Sequence, residues 1–555
     1  MTQARHGGQI LADQLAIEGV ERVFSVPGES FLAALDGLYE SGIQNIVCRQ
    51  EGGAAMMAEA HGKLTNRPGV LFVTRGPGAT NASAGIHVAM QDSTPMVVFV
   101  GQIDTRHRDR EAFQEVDYKR FFSPLAKWVA EVDHTERLPE YIARAFQIAQ
   151  SGRPGPVVLA LPENMLSAQA TVPSRPRARP ASQTATNRDA HRIAKALSAA
   201  NAPLMIIGGP GWSQQARADL ERFANSWDMP VAAAFRRQDY MDNRHACYVG
   251  DLNVGINPAL AQRMQQADCL LVLGSRLGDI ATAGYSLLDP ARLGPQLVHV
   301  HPNPDEPGHI FAPDIAVAAD SASMLAQLAS LTPPPKPLWA DWRRAARSDY
   351  DIWLTPKETP GPVQMEQIIP WLSDHLQQDA ILTNGAGNYA AFLHRYFRYK
   401  TCHTQLAPTS GSMGYGFPAA ISAKLHHPDR EVICLAGDGC FQMTCNELST
   451  AVQHDAAVIV VVVNNGKYGT IRMHQEKTYP GRVSGTALTN PDFAALARSY
   501  GGFGIKVTKT EDFAEAFAQA KAANTAAVIE LQLDDEVLST GLTLSETRSQ
   551  GEAAQ

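Results

Sequence analysis

The chain has 555 residues, 45% of them hydrophobic and 19% charged, with a formal net charge of −8. That length holds about three or four domains of ordinary size. The acidic balance, without a long Lys/Arg run, argues against a nucleic-acid surface. The seven cysteines include no Cys-x-x-Cys pair and lie mostly in apolar segments, which indicates reduced core thiols in a cytoplasmic protein. Residues 1–8 contain no apolar h-region, and no window reaches the roughly eighteen apolar residues of a membrane span, so neither export nor membrane insertion is expected.

The first elements are a helix over Gly8–Gly19, a strand over Arg22–Val26 and a turn at Pro27-Gly28-Glu29. A second strand, Ile43–Arg49, runs through Gln50-Glu51-Gly52-Gly53 into a small-residue helix, Ala54–Lys63, so Glu51 stands at a strand-to-helix junction. A third strand, Val70–Thr74, ends in Arg75-Gly-Pro-Gly-Ala-Thr-Asn81, and Met96–Gly101 is a fourth. Residues 171–190 combine Pro, Ser and Arg without apolar periodicity, and Pro333-Pro-Pro-Lys-Pro337 opens a similar stretch. These divide the chain into an N-terminal domain (1–170), a linker (171–190), a central Rossmann-like domain (191–335), a second linker (336–362), a C-terminal domain (363–540) and a polar, loosely ordered tail (541–555). Strand-like and helix-like runs alternate in each domain, which predicts an α/β protein with three doubly wound, mainly parallel sheets.

The most informative segment lies in the last domain. Glu431–Ala436 and Ala456–Val463 are uninterrupted apolar runs, as expected of strands buried on both faces of a parallel sheet, and Asn446–Gln453 has the pattern of a crossover helix between them. Gly437-Asp438-Gly439 and Asn464-Asn465 then fall at the C-terminal ends of parallel strands, where open α/β sheets bind ligands. One carboxylate and one carboxamide at that spacing can hold Mg2+ against a diphosphate, since magnesium takes oxygen ligands and shares its shell with phosphates. The pattern points to thiamine diphosphate.

With these motifs stand Arg49-Gln50-Glu51, Gly76-Pro-Gly-Ala-Thr-Asn81, Ala112-Phe-Gln-Glu-Val-Asp117, Arg153-Pro-Gly-Pro-Val157 and Gly411-Ser-Met-Gly-Tyr-Gly-Phe-Pro418. Together they resemble, over nearly the whole chain, the thiamine-diphosphate-dependent family that contains acetohydroxyacid (acetolactate) synthase large subunits, pyruvate oxidase and 2-oxo acid decarboxylases, with the synthase branch nearest. The resemblance implies that the N-terminal domain binds the pyrimidine ring and the C-terminal domain the diphosphate. Glu51 would be the carboxyl that donates to the pyrimidine, a role favoured when burial raises its pKa. Met413 would wedge beneath the cofactor. Pro27, Gly28, Gly78, Asn81, Gly387, Asn388, Gly411, Gly437, Gly439, Tyr468 and Gly469 would complete its site, and the Lys467 backbone oxygen would join Asp438 and Asn465 on the metal. Gln114 and Lys127 would face the substrate channel, with Thr470, Ile471, Arg472 and His474 around the pocket. A homodimer or homotetramer with active sites between subunits is also implied.

Four departures bear on the substrate. The synthases carry His-Glu-Gln around the acid, against Gln50-Glu51-Gly52 here, and a tryptophan where His474 stands beside Arg472, which predicts a more polar, cationic pocket unless these two lie on a solvated helix face. Glu29 matches an acidic residue of simple decarboxylases that helps deliver a proton, although the paired histidines of those enzymes are missing. Leu271–Asp279, with Arg276, resembles an FAD-contacting stretch, yet His299-Val-His-Pro-Asn303 and Gly250–Gly255 depart from it, which leaves FAD open. The leading expectation is decarboxylation of a pyruvate-like 2-oxo acid with carboligation to a second carbonyl. The alternatives are a non-oxidative decarboxylase releasing an aldehyde, and a cofactor-binding protein without catalysis.

Overall fold

The computed structural model describes residues 3–290, 294–335 and 337–555; Met1, Thr2 and Lys336 of the proline run lie outside the described residues. Each of three domains is built on a six-stranded, wholly parallel sheet flanked by helices. The N-terminal sheet runs Gln44–Val47, Arg22–Ser25, Gly69–Val73, Met96–Gln102, Pro156–Pro162, Trp128–Glu131. The central sheet runs Tyr248–Leu252, Val231–Ala234, Pro203–Ile207, Cys269–Leu273, Gln296–His301, Ile315–Ala318, which is the doubly wound order with its reversal between Pro203–Ile207 and Cys269–Leu273. The C-terminal sheet runs Gln405–Leu406, Ile381–Asn384, Val432–Gly437, Ile459–Asn464, Ala527–Gln532, Phe503–Val507. Its middle strands are buried along their whole length, as their unbroken valine and isoleucine runs require.

Three expectations are corrected. The crossover helix expected over Asn446–Gln453 is broken into a short helix Asp438–Gln442, a 3₁₀ turn Cys445–Glu447 and a helix Leu448–Gln453. The region read as a second linker carries a helix, Ala340–Trp353, that belongs to the central domain: the Trp339 indole donates to the carbonyls of Trp227 and Asp228, Arg343 pairs with Asp228 at 2.7 Å, and Tyr350 is buried. The tail is ordered as a helix, Leu544–Ala553, started by a capping box between Thr543 and Glu546.

A cluster of charges buried among all three domains fixes how they pack. The helices Glu51–Thr65 and Gly416–His426 lie side by side, and between them Lys63 donates to Asp92 and to the Ala407 carbonyl, with Glu59 at 3.2 Å. The Tyr415 and Thr94 hydroxyls donate to Glu59, Thr409 donates to Asp92 from its amide and hydroxyl, and Arg237 of the central domain reaches the Asp92 carbonyl. Burial raises the proton affinity of both carboxylates; at Asp92 the neighbouring Lys63 and Arg237 more than offset it, and at Glu59 they do not.

The last helix is held by one buried carboxylate. Glu476 lies on the helix Gly469–Thr478; Arg548 forks it at 2.9 and 2.8 Å, Arg472 donates at 2.8 Å and the Gly481 amide at 2.9 Å. These bonds, that of Arg548 first, hold its carboxyl down at about 2, against an ordinary 4.5. A depressed carboxyl stabilises the fold fully above its ordinary value and loses that contribution as pH falls through about 2. Glu476→Gln should therefore cost on the order of 2–3 kcal/mol at neutral pH, at the lower side of a broken buried pair because Arg548 is partly exposed. Hydrogen exchange should then find Leu544–Ala553 deprotected, and unchanged protection in the folded variant would contradict the latch.

Candidate active site

Strand ends of the C-terminal sheet open on a cavity of about 240 Å3. Asp438 opens a helix directly after its strand, and its neighbours must be glycine: a Cβ on Gly437 would lie 2.8 Å from the Tyr389 ring, and one on Gly439 would lie 2.4 Å from the Tyr468 ring. Asp438 is thus held between two tyrosines. Its Oδ1 accepts from the Gly439 amide at 2.8 Å, and its Oδ2 accepts from the Gly466 amide at 2.9 Å and the Asn490 amide at 2.7 Å. Burial pushes its carboxyl up, opposed by these donors, so a cation beside it would be strongly favoured.

The two asparagines divide their work. Asn464 turns into the protein, donating to Glu530 at 2.9 Å and accepting from Asn490 at 2.8 Å. Asn465 lines the cavity; its Nδ2 donates to the Val537 carbonyl at 3.1 Å, which leaves Oδ1 as an acceptor. Lys467 also lines the cavity, while its ammonium donates to the Asp535 carbonyl. Among the described residues no group of three or more His, Cys, Asp or Glu could hold a metal alone. One carboxylate, one amide oxygen and one carbonyl fit a Mg2+ that arrives with phosphate oxygens of its own.

The cavity also gathers Gly387, Asn388, Gly411, Met413, Tyr468, Gly469, Thr470 and Ile471. Asn388 and Thr470 bind each other reciprocally at 3.0 and 2.9 Å, tying the turn after Ile381–Asn384 to the helix Gly469–Thr478. A Cβ on Gly411, at φ +71, would meet nothing within 4 Å. That glycine serves the backbone conformation and faces open space.

Glu51, Asn81, Gly78, Gly28, Pro27 and Glu29 lie on turns and helices that follow strands of the N-terminal sheet, and Gln114 lies beside Gly76. Gln50 caps the helix Glu51–Thr65 by accepting from Gly53, and Glu51 accepts from the Asn81 side chain at 3.0 Å. A Cβ on Gly78 would lie 3.2 Å from Glu51 Oε1, one on Gly28 would lie 2.3 Å from Thr74, and one on Gly76 would lie 2.7 Å from Gln114. Glu29, 68% exposed, pairs with Arg75 at 2.8 Å. None of these residues, the Glu51 cluster, lines the C-terminal cavity.

Three expected pocket residues do not line this cavity: Lys127, Arg472 and His474. The Lys127 ammonium donates to the carbonyls of Ile148 and Ser151, so it caps the helix Leu138–Gln150, and burial pushes its pKa down to about 8. Arg472 is bound to Glu476 and does not line this cavity, while His474 is exposed on the same helix. Three residues escaped the sequence reading: Asn490, bridging Asp438 and Asn464; Tyr389, beneath Gly437; and Glu447, fully buried, which accepts from the amides of Arg49 and Gln50 and so fixes the strand end before Glu51.

The loops that resemble an FAD-contacting stretch pack closely. The loops after Pro203–Ile207 and Cys269–Leu273 touch, since a Cβ on Gly209 would lie 1.9 Å from the Gly274 carbonyl oxygen. His299 reaches the Ser275 carbonyl at 2.8 Å, and Arg276 lies 3.5 Å from Glu306, which also pairs with Arg153 at 3.4 Å. A cavity of about 150 Å3 remains there, lined by Arg276, Gly274 and Phe235.

Residues 5–121, 190–328 and 385–531 match, in turn, the N-terminal TPP binding, central and C-terminal TPP binding domains of the thiamine pyrophosphate enzymes. The chain is 30% identical to the acetolactate synthase large subunit of Corynebacterium glutamicum over 94% of this chain and 86% of that protein. It is 32% identical to that of Parasynechococcus marenigrum (92% and 84%), and 28% identical to the acetolactate synthase isozyme 2 large subunit of Escherichia coli (91% and 91%). The chain belongs to the thiamine pyrophosphate enzyme family.

Proposed function

We propose that the protein is a thiamine-diphosphate-dependent carboligase of the acetolactate synthase type, which decarboxylates a pyruvate-like 2-oxo acid and joins the remaining acyl unit to a second carbonyl compound. The observation that carries this reading is the cavity in which Asp438, Asn465, Lys467 and Met413 meet, within a chain of this family. Asp438, the Asn465 Oδ1 and the Lys467 carbonyl would hold Mg2+ against the diphosphate. The bound cofactor supplies a nucleophilic carbon and an electron sink for the carboxylate that leaves. Glu51 would hold the proton at the pyrimidine ring. Gln114 would orient the substrate carboxylate, and Phe392, Leu533, Val537 and Leu538, which line the cavity, would exclude water from the acyl side.

That no residue of the Glu51 cluster lines the Asp438 cavity supports a working site assembled from two subunits of a homodimer or a tetramer of dimers. A non-oxidative decarboxylase is the second reading, favoured by the exposed Glu29 beside Gly28. Incubation with thiamine diphosphate, Mg2+ and a panel of 2-oxo acids, followed by NMR of the products, separates the two: a 2-hydroxy-2-alkyl-3-oxo acid is expected, and aldehyde alone would overturn the carboligase.

Glu51→Gln should retain cofactor binding and lose about 10²–10⁴-fold in turnover, the usual weight of general acid–base catalysis. Near-normal turnover would remove Glu51 from the mechanism. Asn490→Ala should weaken the Mg2+ dependence of activity about 10–100-fold, as removal of a residue that orients a metal ligand does. An unshifted Mg2+ titration would leave Asn490 a purely structural bridge.

A further inference from the structure

The central-domain strand Val231–Ala234 ends in Phe235-Arg236-Arg237, and both arginines are buried, at 4% and 6% exposure. Arg236 adopts φ +59, a left-handed conformation that costs a non-glycine residue energy. Among the described residues its guanidinium has no carboxylate within ion-pair distance. It rests over the Phe235 ring at 4.7 Å and donates to two backbone carbonyls of the C-terminal domain, Nη1 to Pro408 and Nη2, at 3.0 Å, to Gly385, while its buried Nε has no partner among the described residues. A buried cation without a carboxylate is expensive, and left-handed backbone adds to the cost.

Those carbonyls belong to different turns. Gly385 begins the turn that carries Gly387 and Asn388 into the cavity, and Pro408 precedes the turn that carries Gly411 and Met413. The Gly385 amide is bound by the Tyr389 hydroxyl at 3.1 Å, that hydroxyl reaches the Cys440 thiol at 3.2 Å, and the thiol accepts from the Gly414 amide at 3.1 Å. One cation from the central domain therefore sets the spacing of both turns, and a chain of bonds continues to within two residues of Asp438. Arg237 is different: it donates to the carbonyls of Arg236 and Asp92 and touches neither turn.

We propose that Arg236 is a positioning residue for the cofactor, holding the Gly385–Tyr389 and Ala407–Met413 turns at the separation that the diphosphate and thiazolium portions of thiamine diphosphate require. This rests on the assignment of that cofactor to the Asp438 cavity. The central-domain strand end thus contributes to the neighbouring site through Arg236.

The test uses the full-length protein and its variants Arg236→Met, Arg236→Lys and Arg237→Met. Thiamine diphosphate affinity at saturating Mg2+ is measured by calorimetry, and thermal midpoints are taken without cofactor. Arg236→Met should bind about tenfold more weakly or worse, with a cofactor-free midpoint close to that of the parent. Arg236→Lys, with a single ammonium for two carbonyls, should fall between them, and it carries the test if the methionine variant does not fold. Arg237→Met should lower the midpoint and leave cofactor affinity unchanged. Parent-like affinity in a folded Arg236 variant overturns the proposal, as does an equal loss in Arg237→Met, which would make the effect one of domain packing. If the parent protein does not bind thiamine diphosphate, the cofactor assignment itself falls, and that result is distinct from either.

Discussion

The site depends first on the ion cluster of Lys63, Glu59 and Asp92 buried between the first and third domains. Such a cluster is tolerable only when every oxygen has a donor, so it permits one registry of the helices Glu51–Thr65 and Gly416–His426. In that registry no residue of the Glu51 cluster lines the Asp438 cavity. Glu447 repeats the constraint nearer the chemistry: a carboxylate of the third domain satisfies the amides of Arg49 and Gln50 and so fixes where the Glu51 helix begins.

Within the diphosphate half, tightness replaces charge. Asp438 is the one carboxylate lining the cavity, wedged where glycines let two tyrosine rings approach the backbone, and its lone pairs are oriented by Gly439, Gly466 and Asn490. Oxygen ligands prepared in this way require little reorganisation when a cation enters, and ligands fixed by their second neighbours bind more strongly than free ones.

What the sequence made legible was what is local in it. The glycine–aspartate–glycine turn and the paired asparagines lie at the ends of apolar runs whose length alone marks buried parallel strands, and Glu51 sits where a strand runs into a small-residue helix. The misplaced residues have partners far along the chain. Lys127 reads as a channel cation until the carbonyls of Ile148 and Ser151 claim it, and Arg472 does so until Glu476 and the distant Arg548 enclose it. Asn490 carries no motif, and only its position between Asp438 and Asn464 reveals it. The last helix was legible after all: Thr543-Leu-Ser-Glu546 is a capping box, passed over because the residues around it are polar.

The apolar wall of the cavity has a consequence for selectivity. Leu533, Val537 and Leu538 come from the segment just before the last helix, and with Phe392 and Ile471 they give the pocket an apolar side without a charged group. An apolar wall distinguishes substrates by volume, and a methylene there is worth only about 1–3 kcal/mol, or about 10–200-fold. Chain length of the oxo acid would thus be read coarsely and could be retuned by exchanging one leucine for a smaller or larger side chain. Because that wall hangs from the latched C-terminus, loosening the latch would blur the size limit before it affected the chemistry.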